Sequence, residues 1–344
     1  MDTPVAASPE SALAGNRFAE RALRLRVGGV LAFLVLLSLA FGMASGRFFT
    51  VENARIIAFN AAILVIAACA EALVVITRNL DVSIGSIMGL AGYLAADLVS
   101  RAPGIGFGVV LIPLVVGAAL GALNGELVAY GRVPSIVATL GTLSVYRGVT
   151  FIYARGQEVT STRLPRWMLR GADLMVAGIP SLVIVAVVVV VLLSVLLGSR
   201  PAFRQFYAVG SNPEAAHFYG LRTQRVVLVA YALSGLLAGL AGFLYAARVG
   251  TVTVILARGW ELSALAAVVI GGVSIHGGSG NLVGVALGAI VLATIDNGLV
   301  LLGVPEFWRM FIQGTAIILA VGVDAVIDGR IRRMLELRKA GRRL

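Results

Sequence analysis

The chain has 344 residues, 59% of them hydrophobic before its 41 glycines are counted, with 13% charged and a mean hydropathy of +0.96. Soluble domains hold roughly 45–50% apolar residues with glycine included and about 25% charged ones, so a soluble fold and a disordered chain are both excluded. The net charge of +11 would suit nucleic acid, but fifteen of the 28 cations are confined to three segments, as the positive-inside rule for cytoplasmic loops requires, and no zinc spacing or aromatic platform accompanies them.

In chain order, Arg17, Arg21, Arg24 and Arg26 form a cationic segment ahead of the uncharged run 27–46. That run of 20 residues is longer than the roughly 7–15 of an apolar signal core, so it reads as an uncleaved first span behind a cytoplasmic tail, residues 1–26. Further spans are expected at 56–77, 82–100, 107–130, 135–154, 179–198, 226–247, 262–275, 282–302 and 307–323, since about 20 apolar helical residues cross the hydrocarbon. The 34 uncharged residues between Glu261 and Asp296 are too many for one upright helix, and GGVSIHGGSG breaks them into a short or re-entrant segment and a full span. The fold class is therefore an all-α polytopic membrane protein of about ten transmembrane helices, with a membrane domain at 27–327 and a basic cytoplasmic tail at 328–344.

Ten spans with the N-terminus inside place the loop 199–225, with Arg200, Arg204, Arg222 and Arg225, and the seven Lys/Arg beyond Asp328 inside as well. The loop 155–177 dissents: it falls outside yet carries Arg155, Arg163, Arg166 and Arg170 against Glu158 and Asp173. Two readings stand, a charge tolerated because earlier spans force the topology, or an external docking surface for an acidic partner.

Glycines recur four apart at Gly85/Gly89, Gly117/Gly121/Gly125, Gly235/Gly239 and Gly284/Gly288, a spacing that lets helices approach closely in lipid. The segments 79–96 and 271–291 each place a glycine- and serine-containing break before a small-residue helix, in corresponding positions of the two halves. Such paired breaks point to an internal pseudo-repeat around a central pathway.

Chemistry is sparse. The single cysteine, Cys69, builds neither a disulfide framework nor a cysteine zinc site, and His217 and His276 have no metal or triad partners nearby in sequence. The only lysine is Lys339, so the chain has no phosphate-cradling Gly-x-x-x-x-Gly-Lys-Ser/Thr loop, and GSGNLVG at 278–284 lacks dinucleotide spacing. Ionisable groups within spans are costly and are functional candidates by default. They are Glu71, Asp81, Asp97, Glu126 and Asp296, with Asn60, Asn124 and Asn297 as polar neighbours. Asp97 and Glu126 fall near span ends where water is in reach, which leaves Asn60, Glu71, Asp81 and Asn124 as the candidate pathway residues. Acids in spans also keep an ion-coupled secondary transporter in view, whereas no catalytic constellation supports an enzyme. The loop GSNPEAAHFYGLRTQR (210–225) offers Asn212 as an N-cap, Pro213 at the first helical position and Gly220 as a stop, which describes a short surface helix.

The segments YAVGSNPEAAHFYGL, TRNLDVSIGSIMGLAGYLAA, ALNGELVAYGRVPSIVATLGTLSVYRGVTF and AAVVIGGVSIHGGSGNLVGVALGAIVLATIDNGLVLLGVP closely resemble membrane-permease subunits of bacterial ABC importers of the ribose/monosaccharide type. The resemblance runs from about residue 56 to 323. TRNLDVSIGS and ATLGTLSVYRG are most similar to permeases for autoinducer-2 or rhamnose; ribose-type members more often carry Gly-Gly-Ile-Asp-Leu-Ser-Val-Gly at 78–85. The resemblance implies a bacterial inner-membrane subunit that pairs with a second permease, identical or a paralogue, and with cytoplasmic ABC ATPase subunits that bind the ATP. It also implies an extracytoplasmic sugar-binding protein, and no cofactor or metal in this chain. By the family's pattern Asn212, Pro213, Glu214, Ala215, Ala216 and Gly220 form the helix that the ATPase grips. Charge adds Arg155, Arg163, Arg166 and Arg170 as a surface for the binding protein.

Overall fold

The computed structural model describes residues 9–312 together with 314, 315, 318 and 322, with side chains from residue 27 onward. α1 (Pro9–Ala44) carries the cationic segment and the first span on one continuous helix, and α2 (Val51–Ile76) follows after a short turn. Thr50 caps α2 by accepting the Asn53 N–H, and Glu52 sits in its first turn, where a helix dipole favours an acid. After a break at residues 77–83 comes α3 (Ile84–Arg101). A 3₁₀ stretch (Pro103–Val110), bent at Gly106 with φ 55°, leads into α4 (Leu111–Ala129), and α5 (Ser135–Ala154) follows.

The loop expected outside, hereafter the outer loop, contains α6 (Arg166–Asp173) and a two-stranded antiparallel hairpin, β1 (Met175–Val176) with β2 (Ile179–Pro180). α7 (Ser181–Ser199) leads to two helices of the loop expected inside, hereafter the inner loop, α8 (Pro201–Ser211) and α9 (Pro213–Phe218). α10 (Thr223–Val249), α11 (Trp260–Ile270) and α12 (Leu282–Leu301) complete the fold, and residues 306–312 turn helical again.

Seven of these helices are long and apolar enough to cross a membrane, fewer than the ten expected. α3 is less apolar, because Asp97 and Arg101 sit in its last turns. α11 has 11 residues, about 16 Å, or half a hydrocarbon thickness. It is approached by the non-helical run 251–259, so the short-segment expectation holds there. Of the expected span 307–323, residues 307–312, 314, 315, 318 and 322 are described and are helical, and the tail 328–344 lies outside the described residues.

α2 is the centre of the bundle. Its sequence AAILVIAACAEALVVI is apolar all round, the pattern of a helix covered on every side, and it packs against α7, α10, α11 and α12. Its most apolar stretch is 94% buried, whereas that of α1 is exposed or half-buried except at Phe41. α4, α5 and α7 likewise turn rows of Leu, Val and Ile outward, as lipid-facing helices do.

The spaced glycines decide the packing. At Gly117 a side chain would strike the Gly235 carbonyl, at Gly121 the Tyr231 carbonyl, and at Gly239 the Pro113 carbonyl, so α4 and α10 touch backbone to backbone. α11 and α12 do the same, with Gly284 on the Gly271 carbonyl and Gly288 on the Ala267 carbonyl. Gly85 and Gly89 face a different partner: the non-helical carbonyls of Ala257 and Leu256 and the side chains of Glu261 and Arg147. In lipid no hydrophobic force drives helices together, so these approaches carry the dispersion that holds the bundle.

The two expected breaks, residues 77–83 before α3 and 271–281 before α12, meet each other. Gly278 N–H donates to the Ile76 carbonyl (2.9 Å), and Gly277 lies against the backbone of Arg78. Arg78 (φ 67°), Gly277 (φ 78°) and Gly278 (φ 74°) all take the left-handed conformation there.

Gly121→Leu should reduce monodisperse protein extracted from membranes at least tenfold, since the side chain meets the Tyr231 carbonyl, while Gly141→Ala, with no atom in reach of its Cβ, should extract normally. Equal yields would contradict the packing role.

Candidate functional site

Glu71, Asp81 and Asn124 come together in one sealed cluster at the first break. Ser83 donates to Asp81 Oδ1 through its N–H (3.0 Å) and hydroxyl (2.6 Å), which closes the break into an Asx-type turn ahead of α3. Asn124 Nδ2 donates to Ser83 Oγ (2.7 Å) and, at 3.4 Å, to the same Asp81 oxygen. The single Tyr146 O–H proton is shared between Asn124 Oδ1 (3.0 Å) and the Leu120 carbonyl (2.9 Å). The Asp81 N–H donates to Glu71 Oε1 (3.2 Å), and Tyr231 OH to the Leu80 carbonyl (2.9 Å).

Glu71, Asp81 and Asn124 are at most 2% exposed, and one oxygen of each carboxyl has no hydrogen-bond partner among the described residues. The cluster draws on α2, α3, α4, α5 and α10, so what it does in this conformation is tie the break to four other helices. It does not line an open surface. Asn60 is not part of it: that side chain is exposed on α2, roughly 16 Å along the axis from Glu71.

The other intramembrane acids are paired or wet. Asp97 accepts from Arg101 Nε (2.9 Å) and Tyr153 OH (2.7 Å), Asp296 pairs with Arg309 (2.9 Å), and Glu126 is exposed. Among the described residues no group of three or more His, Cys, Asp or Glu could hold a metal ion.

The inner loop is folded and fastened. Asn212 Oδ1 accepts the Ala215 N–H (2.9 Å), Pro213 fills the first turn of α9, and Gly220 (φ 80°) lets the chain leave it. Ala216 is buried beneath, while Glu214, His217, Phe218 and Tyr219 face out, the two aromatics being 89% and 88% exposed. The two rings leave a small apolar patch bare on a polar loop. An open groove of about 410 Å³ is lined by Ala208 of α8, Asn212, Ala216 of α9, Tyr219 and Leu221.

α8 then carries the loop to the junction of the breaks. Gly210 abuts the Ile76 carbonyl and the Gly278 nitrogen with no room for a side chain, and Tyr207 OH donates to the Gly280 carbonyl (3.1 Å). Burial raises the pKa of the Tyr207 phenol and keeps it a donor.

On the opposite end, Arg155, Arg163, Arg166 and Arg170 are all exposed. The loop that bears them is held by the bridge Val159–Val252, by buried Leu164, Met168 and Ala172, and by Asp173 paired with Arg248 (2.9 Å). Arg248 also stands 4.4 Å over the Phe59 ring, so the platform is fixed to α2 and α10. Arg147 and Glu261, which flank the glycines of α3, are absent from the acids and amides that the sequence singles out. Arg147 hides inside an apolar run, and Glu261 marks the edge of one.

Residues 53–321 match the family model described as branched-chain amino acid transport system / permease component. The chain is similar to the autoinducer 2 import system permease protein LsrC of Escherichia coli O157:H7, at 36% identity over 311 residues that cover 90% of this chain and 89% of that one. The proteins of the same name from Shigella flexneri (37% over 303 residues, 88% and 86% covered) and Yersinia pseudotuberculosis serotype O:1b (37% over 310 residues, 89% and 85% covered) are equally similar. No solved structure matches the chain.

Asn124→Leu leaves Ser83 and Tyr146 without their shared partner in a sealed site, and should destabilise the protein by about 1–3 kcal/mol, read as a lower midpoint of thermal unfolding in detergent. An unchanged midpoint would remove the clasp role of the cluster.

Proposed function

The chain belongs to the family of branched-chain amino acid transport system permease components, a multi-pass subunit of the bacterial inner membrane, and on that premise we propose how it works and with what. The solute is sugar-like, of the ribose, rhamnose and autoinducer-2 class, a reading supported by relatives named for autoinducer 2 import. Two cytoplasmic ATPase subunits bind the ATP, a second permease subunit completes the pathway, and an extracytoplasmic binding protein delivers the solute. This chain makes and breaks no bond.

The observation that carries the reading is the seat of α8 and α9. α9 presents Glu214, Phe218 and Tyr219 outward, and α8 ends on the Ile76 carbonyl where both breaks join. Closure of an ATPase dimer gripping Asn212, Pro213, Glu214, Ala215, Ala216 and Gly220 then displaces the inner ends of α2, α3 and α12 together. The Asp81–Ser83–Asn124 clasp makes α3 follow α4 and α5, and a pathway open to one side becomes open to the other. Selection rests mainly with the binding protein, since a pathway that bound tightly would trap its cargo.

At the outer face the four arginines form the landing surface, because an exposed cationic platform fixed to two spans attracts an acidic partner and transmits its docking.

Glu214→Arg and Gly220→Val, the latter strained at φ 80°, should leave membrane insertion intact and let ATP hydrolysis proceed while uptake by the full complex falls at least tenfold. Normal uptake in both would sink the assignment of α9. Reversing Arg163 and Arg166 together to Glu should weaken association of the binding protein, with the loss largest at low ionic strength. An association constant unmoved at every salt concentration would remove the landing surface.

A further inference from the structure

Arg147 and Glu261 are two charged side chains that neither the buried clasp nor the inner lever uses. A guanidinium stays charged at any physiological pH, and within a span it is tolerated only where it faces the protein interior or water. On α5, Ala138, Thr142, Tyr146 and Thr150 make the packed face, while Val137, Gly141, Ser144 and Val145 are exposed. Arg147 lies on the border between the two. Beside it the helix is hollowed: a Cβ at Gly141 or Gly148 would meet no atom within 4 Å.

From that border Arg147 Nη1 reaches over Gly89 of α3 to the carbonyls of Leu256 (2.8 Å) and Val254 (3.4 Å). No acid comes within ion-pair distance among the described residues. Nη1 takes both bonds, so Nε and Nη2 are left without one, and neither is sealed in. Glu261 fills the space above Gly85, one turn of α3 away, about 6 Å along its axis. Its Oε1 accepts the Gly259 N–H (3.2 Å), and its Oε2 has no partner. Spare donors and a spare acceptor thus stand one turn apart on opposite charges, with the exposed Arg258 close enough to act on Arg147, glycines beneath them and a hollowed helix face alongside.

We propose that Arg147 and Glu261 contact the solute during its passage and favour an uncharged, polyhydroxylated one. A hydroxyl accepts from the guanidinium and donates to the carboxylate with the same atom type, so a ring bearing several hydroxyls satisfies both. An anionic solute would be drawn to Arg147 and repelled by Glu261; a cationic one meets the reverse. The backbone carbonyls of residues 254 and 256 hold the guanidinium when no solute is present, and the glycines at 85 and 89 give both side chains the room to swing. The inference rests on the permease reading and adds the residues that read the cargo inside the membrane.

The test uses the complete transporter in proteoliposomes with the binding protein saturated, and measures uptake per ATP hydrolysed for ribose, rhamnose and autoinducer-2. For whichever solute the unmodified complex takes up, Arg147→Gln and Glu261→Gln should each lower uptake per ATP about tenfold. Hydrolysis should stay within twofold, and the corresponding deoxy analogue should lose much less. Arg147→Lys, which keeps the charge but not the fork, should recover part of the loss. Unchanged uptake, or an equal fall for parent, deoxy analogue and hydrolysis together, would overturn the proposal. Failure of the unmodified complex to take up any of the three would instead count against the sugar-like cargo on which it rests.

Discussion

A helix that stops inside a membrane must still satisfy its last carbonyls, because lipid offers no donor. The end of α2 meets this requirement with the other broken segment: the Ile76 carbonyl accepts the Gly278 N–H, and Gly210 of α8 presses on the same carbonyl. One backbone group therefore joins the central helix, both breaks and the inner loop. A side chain at position 210 could not be fitted without separating them. The inner loop is in this way built into the membrane domain, and a load applied to α9 has a short covalent and packed route to α2, α3 and α12.

The rest of the bundle divides into parts that follow this junction and parts that give it a frame. The α4–α10 and α11–α12 pairs, locked by glycine-to-carbonyl contacts, are stiff units, since close-packed backbones offer no side chains to rearrange. Between them α3 is tied at its inner end to α4 and α5 by the Asp81–Ser83–Asn124–Tyr146 network and at its outer end to α5 by Tyr153 on Asp97. Fixed at both ends to α5, α3 moves with it. The platform of α6, anchored by Asp173 to Arg248 and by Val159 to Val252, extends the same connection to the outer face.

Apolar periodicity and punctuation made several elements legible in sequence. α5 begins after Pro134 and ends at Ala154 as expected, and α12 starts directly after its cap Asn281. α9 follows from Asn212, Pro213 and Gly220. α2 begins five residues before the expected start, because Glu52 and Arg55 look like loop residues yet occupy the wet first turn of the helix. α8, α6 and the small hairpin escaped notice, being short and polar, although Pro201 at a first helical position was a usable signal. Of the four candidate pathway residues three converge, since a break folds Asp81 back onto Glu71 and Asn124, while Asn60 lies outward. Helical spacing alone cannot show that, because it does not say where a broken chain returns. Arg147 was hidden for the opposite reason: nothing in a single apolar run tells that its one charge reaches another segment.

The proposed passage is shaped and moved by its neighbours. The most direct measurement is solute accumulation in proteoliposomes that hold this chain alone, under an imposed proton or sodium gradient, beside proteoliposomes that hold it with its partner permease, ATPase subunits and binding protein. Concentrative uptake should occur only in the complete set and only with ATP. Accumulation by the lone chain on an ion gradient would contradict the account and make it a secondary transporter.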